Sequence, residues 1–164
     1  MQESPYLTKP SPNFEDRIDP IEYIILHSTQ MPSDKEALER LCCTKAKVSC
    51  HYFIDQQGAL YQLVKDDKIA WHAGVSEWDG KASLNKYSLG IEISNPDTKG
   101  TVPYHKCQYI TLEKLLKHLM QTYSIPSKNV LGHCHIAPGR KTDPNPHFNW
   151  QMLIEKGLTT HYHK

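Results

Sequence analysis

The stretch GHCHIAPGRKTDPNPHFNW, residues 132–150, sets His133 ten positions before Asp143, with Arg140 and Lys141 between them and prolines at 138, 144 and 146. It has almost no periodic apolar residues, so core burial does not account for it. A further imidazole, His27, ends the β-branched run IEYIILH, residues 21–27. Two imidazoles and a carboxylate fill three positions of a tetrahedral zinc and leave the fourth open to water, as in a catalytic rather than a structural site. Zinc lowers the pKa of such a water from 15.7 to about 7 and polarises a carbonyl oxygen, so this donor set points to hydrolysis at neutral pH. With ten histidines in the chain, hydrogen-bonded structural imidazoles at the same positions fit the pattern too. Glu92, in the middle of LGIEIS, adds a carboxylate that needs a partner or a function if it faces the core. Alternation equally permits an outward-facing Glu92, since Gly90 and Glu92 share a face.

The elements that must carry these residues can be read from pattern. IEYIILH reads as a buried strand. SDKEALERLCC reads as a helix, with Ser33 and Glu36 at capping-box spacing and Ala37, Leu38, Leu41 and Cys42 on one face. VSCHYFID and ALYQLVK, joined by QQG, read as a hairpin with Gly58 at its turn and with His51 and Tyr52 packed inside, one on each strand face. AWHAGVSEWDGKASLN, residues 70–85, is loop-like. YSLGIEISN, residues 87–95, is an inner strand, and residues 109–123 a helix stopped by Pro126. VLGH returns as a strand ending on His133, and WQMLIEKGL closes as a helix with Gly157 at its C-terminal end. Interleaved strands and helices around a hairpin predict one α/β domain, a central mixed β-sheet flanked by α-helices. Residues 1–20 are expected as an irregular lead-in, 21–158 as the catalytic domain and 159–164 as a tail, the terminal HYHK being mobile.

Length and charge narrow the function classes. The 164 residues suffice for one domain with a proper core, and a formal net charge of +1 with no run of like charges argues against nucleic acid as a partner. No apolar run approaches the roughly 20 residues of a membrane span. The first twenty residues have neither a basic end nor an apolar stretch, so they do not read as a signal peptide. Five cysteines without a C-x-x-C spacing argue against a cysteine-bound zinc, and the odd count fits a reduced state better than a closed disulfide framework, although secretion with one or two disulfides stays open.

ILHST, VSCHYFID, AWHAGVSEWDGKASLN, SLGIEISN and GHCHIAPGRKTDPNPHFNW occur in an order and at spacings that resemble the zinc-dependent N-acetylmuramoyl-L-alanine amidases, the family shared with phage T7 lysozyme and the peptidoglycan recognition proteins. The resemblance covers about residues 20–155 and is greatest toward the bacterial AmiD and AmpD branch. It implies zinc on His27, His133 and Asp143, proton transfer by Glu92 and stabilisation of the tetrahedral intermediate by Lys141. The implied partner is peptidoglycan or a muropeptide, cut between N-acetylmuramic acid, including its 1,6-anhydro form, and L-alanine of the stem peptide. Where relatives without the Glu use a Tyr just before the second-strand His, this chain has Cys50, so the burden falls on Glu92. Two further departures are Cys134-His135, commonly Ser-Asp in relatives, and Asn145, often Gly; His135 is expected as a solvent-facing loop residue. Trp71, His72 and Trp78 could line a glycan or peptide groove, or pack on the sheet. Asn85 and Arg140 could hold substrate carboxylates or acetamido groups, or make structural links.

Two other functions stand beside the amidase. A non-catalytic peptidoglycan-recognition module of the same fold typically has a broken metal triad, and this chain keeps every ligand. An unrelated zinc peptidase would need an H-E-x-x-H helix, which is missing. The Ala70–Asn85 run resembles the AmiD branch and so implies the cell envelope; the lack of a leader points instead to the cytoplasm. A monomer is expected.

Overall fold

The computed structural model describes residues 6–97, 99 and 101–163, so the first five residues of the expected lead-in and Lys164 of the tail lie outside the described residues. In chain order the strands are β1 (Leu7–Thr8), β2 (Phe14–Asp16), β3 (Tyr23–Ser28), β4 (Tyr52–Ile54), β5 (Leu60–Gln62), β6 (Lys68–Ala70), β7 (Glu77–Trp78), β8 (Lys81–Ala82), β9 (Ser88–Ile93) and β10 (Val130–Gly132). The helices are α1 (Asp34–Leu41), α2 (Lys106–Tyr123), α3 (His133–Ile136) and α4 (Trp150–Glu155). Six strands form the main sheet in the order β1-β5-β4-β9-β3-β10. Only β4 and β5 pair antiparallel within it; the other four pairings are parallel. This is the expected α/β architecture with a mixed sheet.

The sheet has two unlike faces because side chains alternate along each strand. Ile24 and Leu26 of β3, Leu89, Ile91 and Ile93 of β9, and Tyr52 and Ile54 of β4 share one face, and pack against Leu112, Leu115, Leu116 and Leu119 of α2 and Trp150 and Leu153 of α4. The other face carries Tyr23, Ile25, His27, Gly90, Glu92 and Phe53. It is covered by Ala73 and Leu84 from the 70–85 segment and by Ala37, Leu38 and Leu41 of α1. Register then sets His27 directly beside Glu92 on β3 and β9, with Phe53 of β4 next in the row. Glu92 therefore faces away from the main core, on the same side as Gly90, onto a face that is only partly covered there.

Most expected elements form at or near their expected limits. Ser33 caps α1, its Oγ accepting from the Glu36 N–H at 3.2 Å, and Gly58 turns the β4–β5 hairpin at φ +81°. Elsewhere the structure corrects the sequence reading. The α2 helix begins three residues before the expected 109, where the Gln108 Oε1 accepts from the His105 N–H at 3.0 Å; that polar first turn has no hydropathy signal. The 70–85 loop contains the β7–β8 hairpin. Far from being irregular, the lead-in supplies β1 to the main sheet and β2 to a pair with β6. It is fastened by polar side chains: the Ser11 hydroxyl donates to Leu41 O at 2.6 Å and Asn13 Nδ2 to Val48 O at 2.9 Å.

The tail is also held. His161 Nε2–H donates to Lys128 O at 2.8 Å and His163 Nε2–H to Thr142 O at 3.1 Å, while the His161 ring stands edge-on to Trp78 at 5.4 Å. The five cysteines, all among the described residues, form no disulfide.

Candidate active site

His27 stands near the C-terminal end of β3, and His133 is the first residue of α3 rather than the last of a strand, because the chain turns helical immediately after Gly132. That turn is closed by His135, whose Nδ1 accepts from the Gly132 N–H at 2.7 Å and whose Nε2–H donates to Tyr162 O at 2.5 Å. His135 is thus buried, 2% exposed, and not the solvent-facing residue its loop position suggests. The chain returns through residues 137–142 to Asp143, whose carbonyl accepts from the Cys134 N–H at 2.9 Å and so ties the two ends of the loop. Asn145, at the departure from relatives, is buried and donates through Nδ2 to Asn95 Oδ1 at 3.2 Å.

The ligand atoms of His27, His133 and Asp143 converge. His27 Nδ1 and His133 Nδ1 are 3.0 Å apart, and each is 3.2 Å from Asp143 Oδ2. Partners on the far side of each ring assign the tautomers. His133 Nε2 faces Ala73 O at 3.0 Å, a pure acceptor, so Nε2 carries the hydrogen and Nδ1 a lone pair. The Ser88 hydroxyl donates to Leu84 O at 2.6 Å and must accept from His72 Nε2–H at 3.2 Å. His72 Nδ1 is then the acceptor for His27 Nε2–H at 2.9 Å, which leaves His27 Nδ1 bare as well. Three acceptors facing one another form a site that could hold a cation. Ligand atoms about 2.1 Å from a tetrahedral zinc stand roughly 3.4 Å apart, within a few tenths of an ångström of the observed triangle. The residues fit the metal.

Electrostatics agree with that assignment. Burial and the neighbouring His133 pull the His27 pKa down to about 4, keeping it a neutral ligand near pH 7. Burial opposes ionisation of Asp143, yet the adjoining His133 and His27 rings hold its carboxyl below the usual carboxylate range. Burial and the Asp143 charge push Glu92 up to about 8, against the opposing pull of Lys141. Glu92 Oε2 is shielded from solvent and has no hydrogen-bond partner among the described residues. The Cys50 thiol, fully buried, is pushed well above its ordinary pKa by burial and by the Glu92 charge, so it is no substitute for an acidic phenol.

An open cavity of about 320 Å³ lies over this group, and His27, His72, Glu92, His133, Lys141 and Asp143 all line it. Gln30, Arg40 and Val48, which no sequence signal marks, also line the cavity. Three expected substrate contacts, Trp71, Asn85 and Arg140, are not among the residues lining the cavity. Asn85 Oδ1 accepts from the N–H groups of His72 and Ala73, at 3.0 and 2.7 Å. Arg140 Nη2 donates to Ala73 O and Val75 O, at 3.0 and 2.5 Å. The Trp71 N–H donates to Ser49 Oγ at 2.8 Å. These contacts fasten loops. His72 touches the cavity but is occupied in holding His27.

Comparison with known proteins brings one family forward. A family model described as N-acetylmuramoyl-L-alanine amidase matches residues 17–146. The 1,6-anhydro-N-acetylmuramyl-L-alanine amidase AmpD of Escherichia coli K12 is 42% identical over 116 residues, 69% of this chain and 62% of that relative. The chain thus spans about three fifths of the length of that curated relative. A crystal structure of a selenomethionine AmpD derivative superposes with a TM-score of 0.84 at 30% identity, covering 96% of each chain. E. coli AmiD, solved with the substrate anhydro-N-acetylmuramic acid-L-Ala-D-gamma-Glu-L-Lys, superposes with a TM-score of 0.77 at 31% identity, covering 97% of this chain and 61% of that one.

Proposed function

This chain belongs to the N-acetylmuramoyl-L-alanine amidase family, and from that membership we propose that it hydrolyses the amide between the lactyl group of N-acetylmuramic acid, with its ring intact or in the 1,6-anhydro form, and L-alanine of a stem peptide. The observation that carries the proposal is the convergence of His27, His133 and Asp143 beside Glu92 and Lys141 in one open cavity. Zinc held by the three ligands supplies a Lewis acid able to polarise a carbonyl and to acidify water.

The protein's own groups complete the reaction. Glu92, whose Oε2 has no hydrogen-bond partner among the described residues, accepts a proton from the attacking water and returns it to the leaving amine. Lys141 lines the cavity and opposes the negative charge that develops on the carbonyl oxygen. His72 and Ala73 O fix the two imidazoles, so the donor set need not reorganise as charge develops. Among the described residues no helix is long and apolar enough to cross a membrane. The envelope location implied by the Ala70–Asn85 run stays part of the proposal, with fractionation of the producing cell as its test.

The deciding experiment is mass spectrometry of muropeptides, with and without the anhydro ring, incubated with the protein before and after chelation and zinc restoration. Release of L-alanyl stem peptides from both substrates, lost on chelation and regained with zinc, is the expected result. Cleavage of the anhydro form alone would narrow the substrate; zinc binding without cleavage of either would replace the amidase with a recognition module.

A further inference from the structure

We propose that Asn85 is a positioning residue for the metal-binding imidazoles, acting through the backbone of residues 72–73 and not by touching substrate. The proposal rests on the metal reading above. Asn85 is half-buried in the short turn Leu84–Tyr87, and its single Oδ1 gathers two consecutive backbone N–H groups, those of His72 and Ala73. Those two residues are the ones that reach the back of the metal imidazoles. The His72 ring accepts from His27 Nε2–H, and the Ala73 carbonyl accepts from His133 Nε2–H. One side-chain oxygen therefore sets the position of both acceptors on which the two ligand tautomers depend. The same turn supplies the other end of the network. The carbonyl of Leu84, immediately before Asn85, accepts from the Ser88 hydroxyl, which orients Ser88 to accept from His72 Nε2–H. Arg140 adds a second bond to the Ala73 carbonyl from the loop that carries Lys141 and Asp143.

The role uses only an acceptor. Asn85→Asp keeps that acceptor and Asn85→Ala removes it, so the pair separates positioning from a substrate contact made by the amide NH₂. Loss of a partner behind a metal-bound imidazole costs about 10- to 100-fold in affinity. Asn85→Ala is expected to weaken zinc binding by that factor in competition with a chelator, and Asn85→Asp to restore most of it. Independently of the metal, ¹⁵N imidazole spectra of the chelated protein should show His27 and His133 as single Nε2–H tautomers in the wild type and as mixtures in Asn85→Ala. Activity lost in Asn85→Ala should return with excess zinc at an unchanged KM.

Wild-type tautomers and zinc affinity in Asn85→Ala, or an equal loss in Asn85→Asp, would overturn the proposal. Should Asn85→Ala fail to fold, Ser88→Ala interrogates the same network, and unchanged His72 and His27 tautomers there would overturn it. A wild type that binds no zinc would remove the metal reading, while the spectra would still decide whether Asn85 sets the tautomers.

Discussion

Glu92 shows what can be decided one residue at a time. Its chemistry follows from its type, but the face it presents depends on a strand register that alternation alone leaves open. Once β9 lies beside β3, Glu92 is the neighbour of His27, and its carboxyl is held where burial raises its pKa to about 8. Glu92→Gln keeps the volume and removes the base. It should bind zinc like the wild type while turnover falls about 10²- to 10⁴-fold, the usual range for a lost proton-transfer group. Single-turnover rates with matched zinc content would show this, and near-normal turnover would remove Glu92 from the role. His135 is the opposite case: its loop position suggested a solvent-facing residue, and its backbone partners make it the closure of the α3 turn.

At the scale of elements, the sheet face that holds the site depends on close approach. A Cβ added at Gly90 would lie 2.4 Å from His72 Cγ and 2.6 Å from Cδ2, so the β9 strand needs a glycine there for the imidazole to cover it. Gly90→Ala should lower stability by about 1–3 kcal/mol, as overpacking does. It should also weaken zinc binding by moving His72 off His27, which denaturation and zinc titration would separate. The C-terminal segment is a second structural support. Tyr162 O accepts from His135, and His163 donates to Thr142 O, one residue before Asp143. Deleting residues 161–164 removes the acceptor from a buried imidazole, at a cost of about 1–3 kcal/mol. The melting temperature should drop by roughly 2–4 °C for each kcal/mol in a domain of this size. A melting curve unchanged by the deletion would show the tail to be ornamental. Neither support was legible beforehand, since side-chain-to-backbone bonds made by His, Ser and Asn leave no periodic signal.

For the molecule as a whole, the metal-free protein carries opposed pH dependences. Burial lowers His27 to about 4 and His51 to about 3, and takes His72 well below its ordinary value. As pH falls through 6.5 toward 4, the unfolded chain takes up protons that these residues refuse, so stability is lost on the acid side. Glu92 works the other way. Raised to about 8, it stays protonated in the fold while the unfolded chain ionises near 4.5, so its contribution is lost as pH rises between those values. Below pH 6.5 the three imidazoles outweigh the one carboxyl; above it only Glu92 acts. Thermal denaturation in the presence of chelator should therefore show greatest stability near pH 6.5, and Glu92→Gln should flatten the alkaline side. A steady rise in stability from pH 5 to 8 would contradict these assignments.

The sequence by itself determined the ligand types, their order along the chain, the strands that end near them and the α/β plan, because hydropathy period, capping residues and prolines act over a few neighbouring residues. It also carried the family resemblance, in motifs whose spacing survives in one dimension. Tertiary structure alone decided that Glu92 and His27 share a row, that Asn85 and Arg140 fasten the 72–75 loop, that the lead-in completes the sheet and that the tail braces the loop carrying Asp143. Each of these depends on groups distant in sequence meeting through strand register or through single hydrogen bonds to backbone. Such meetings are set by how the two sheet faces are covered, which no local pattern encodes.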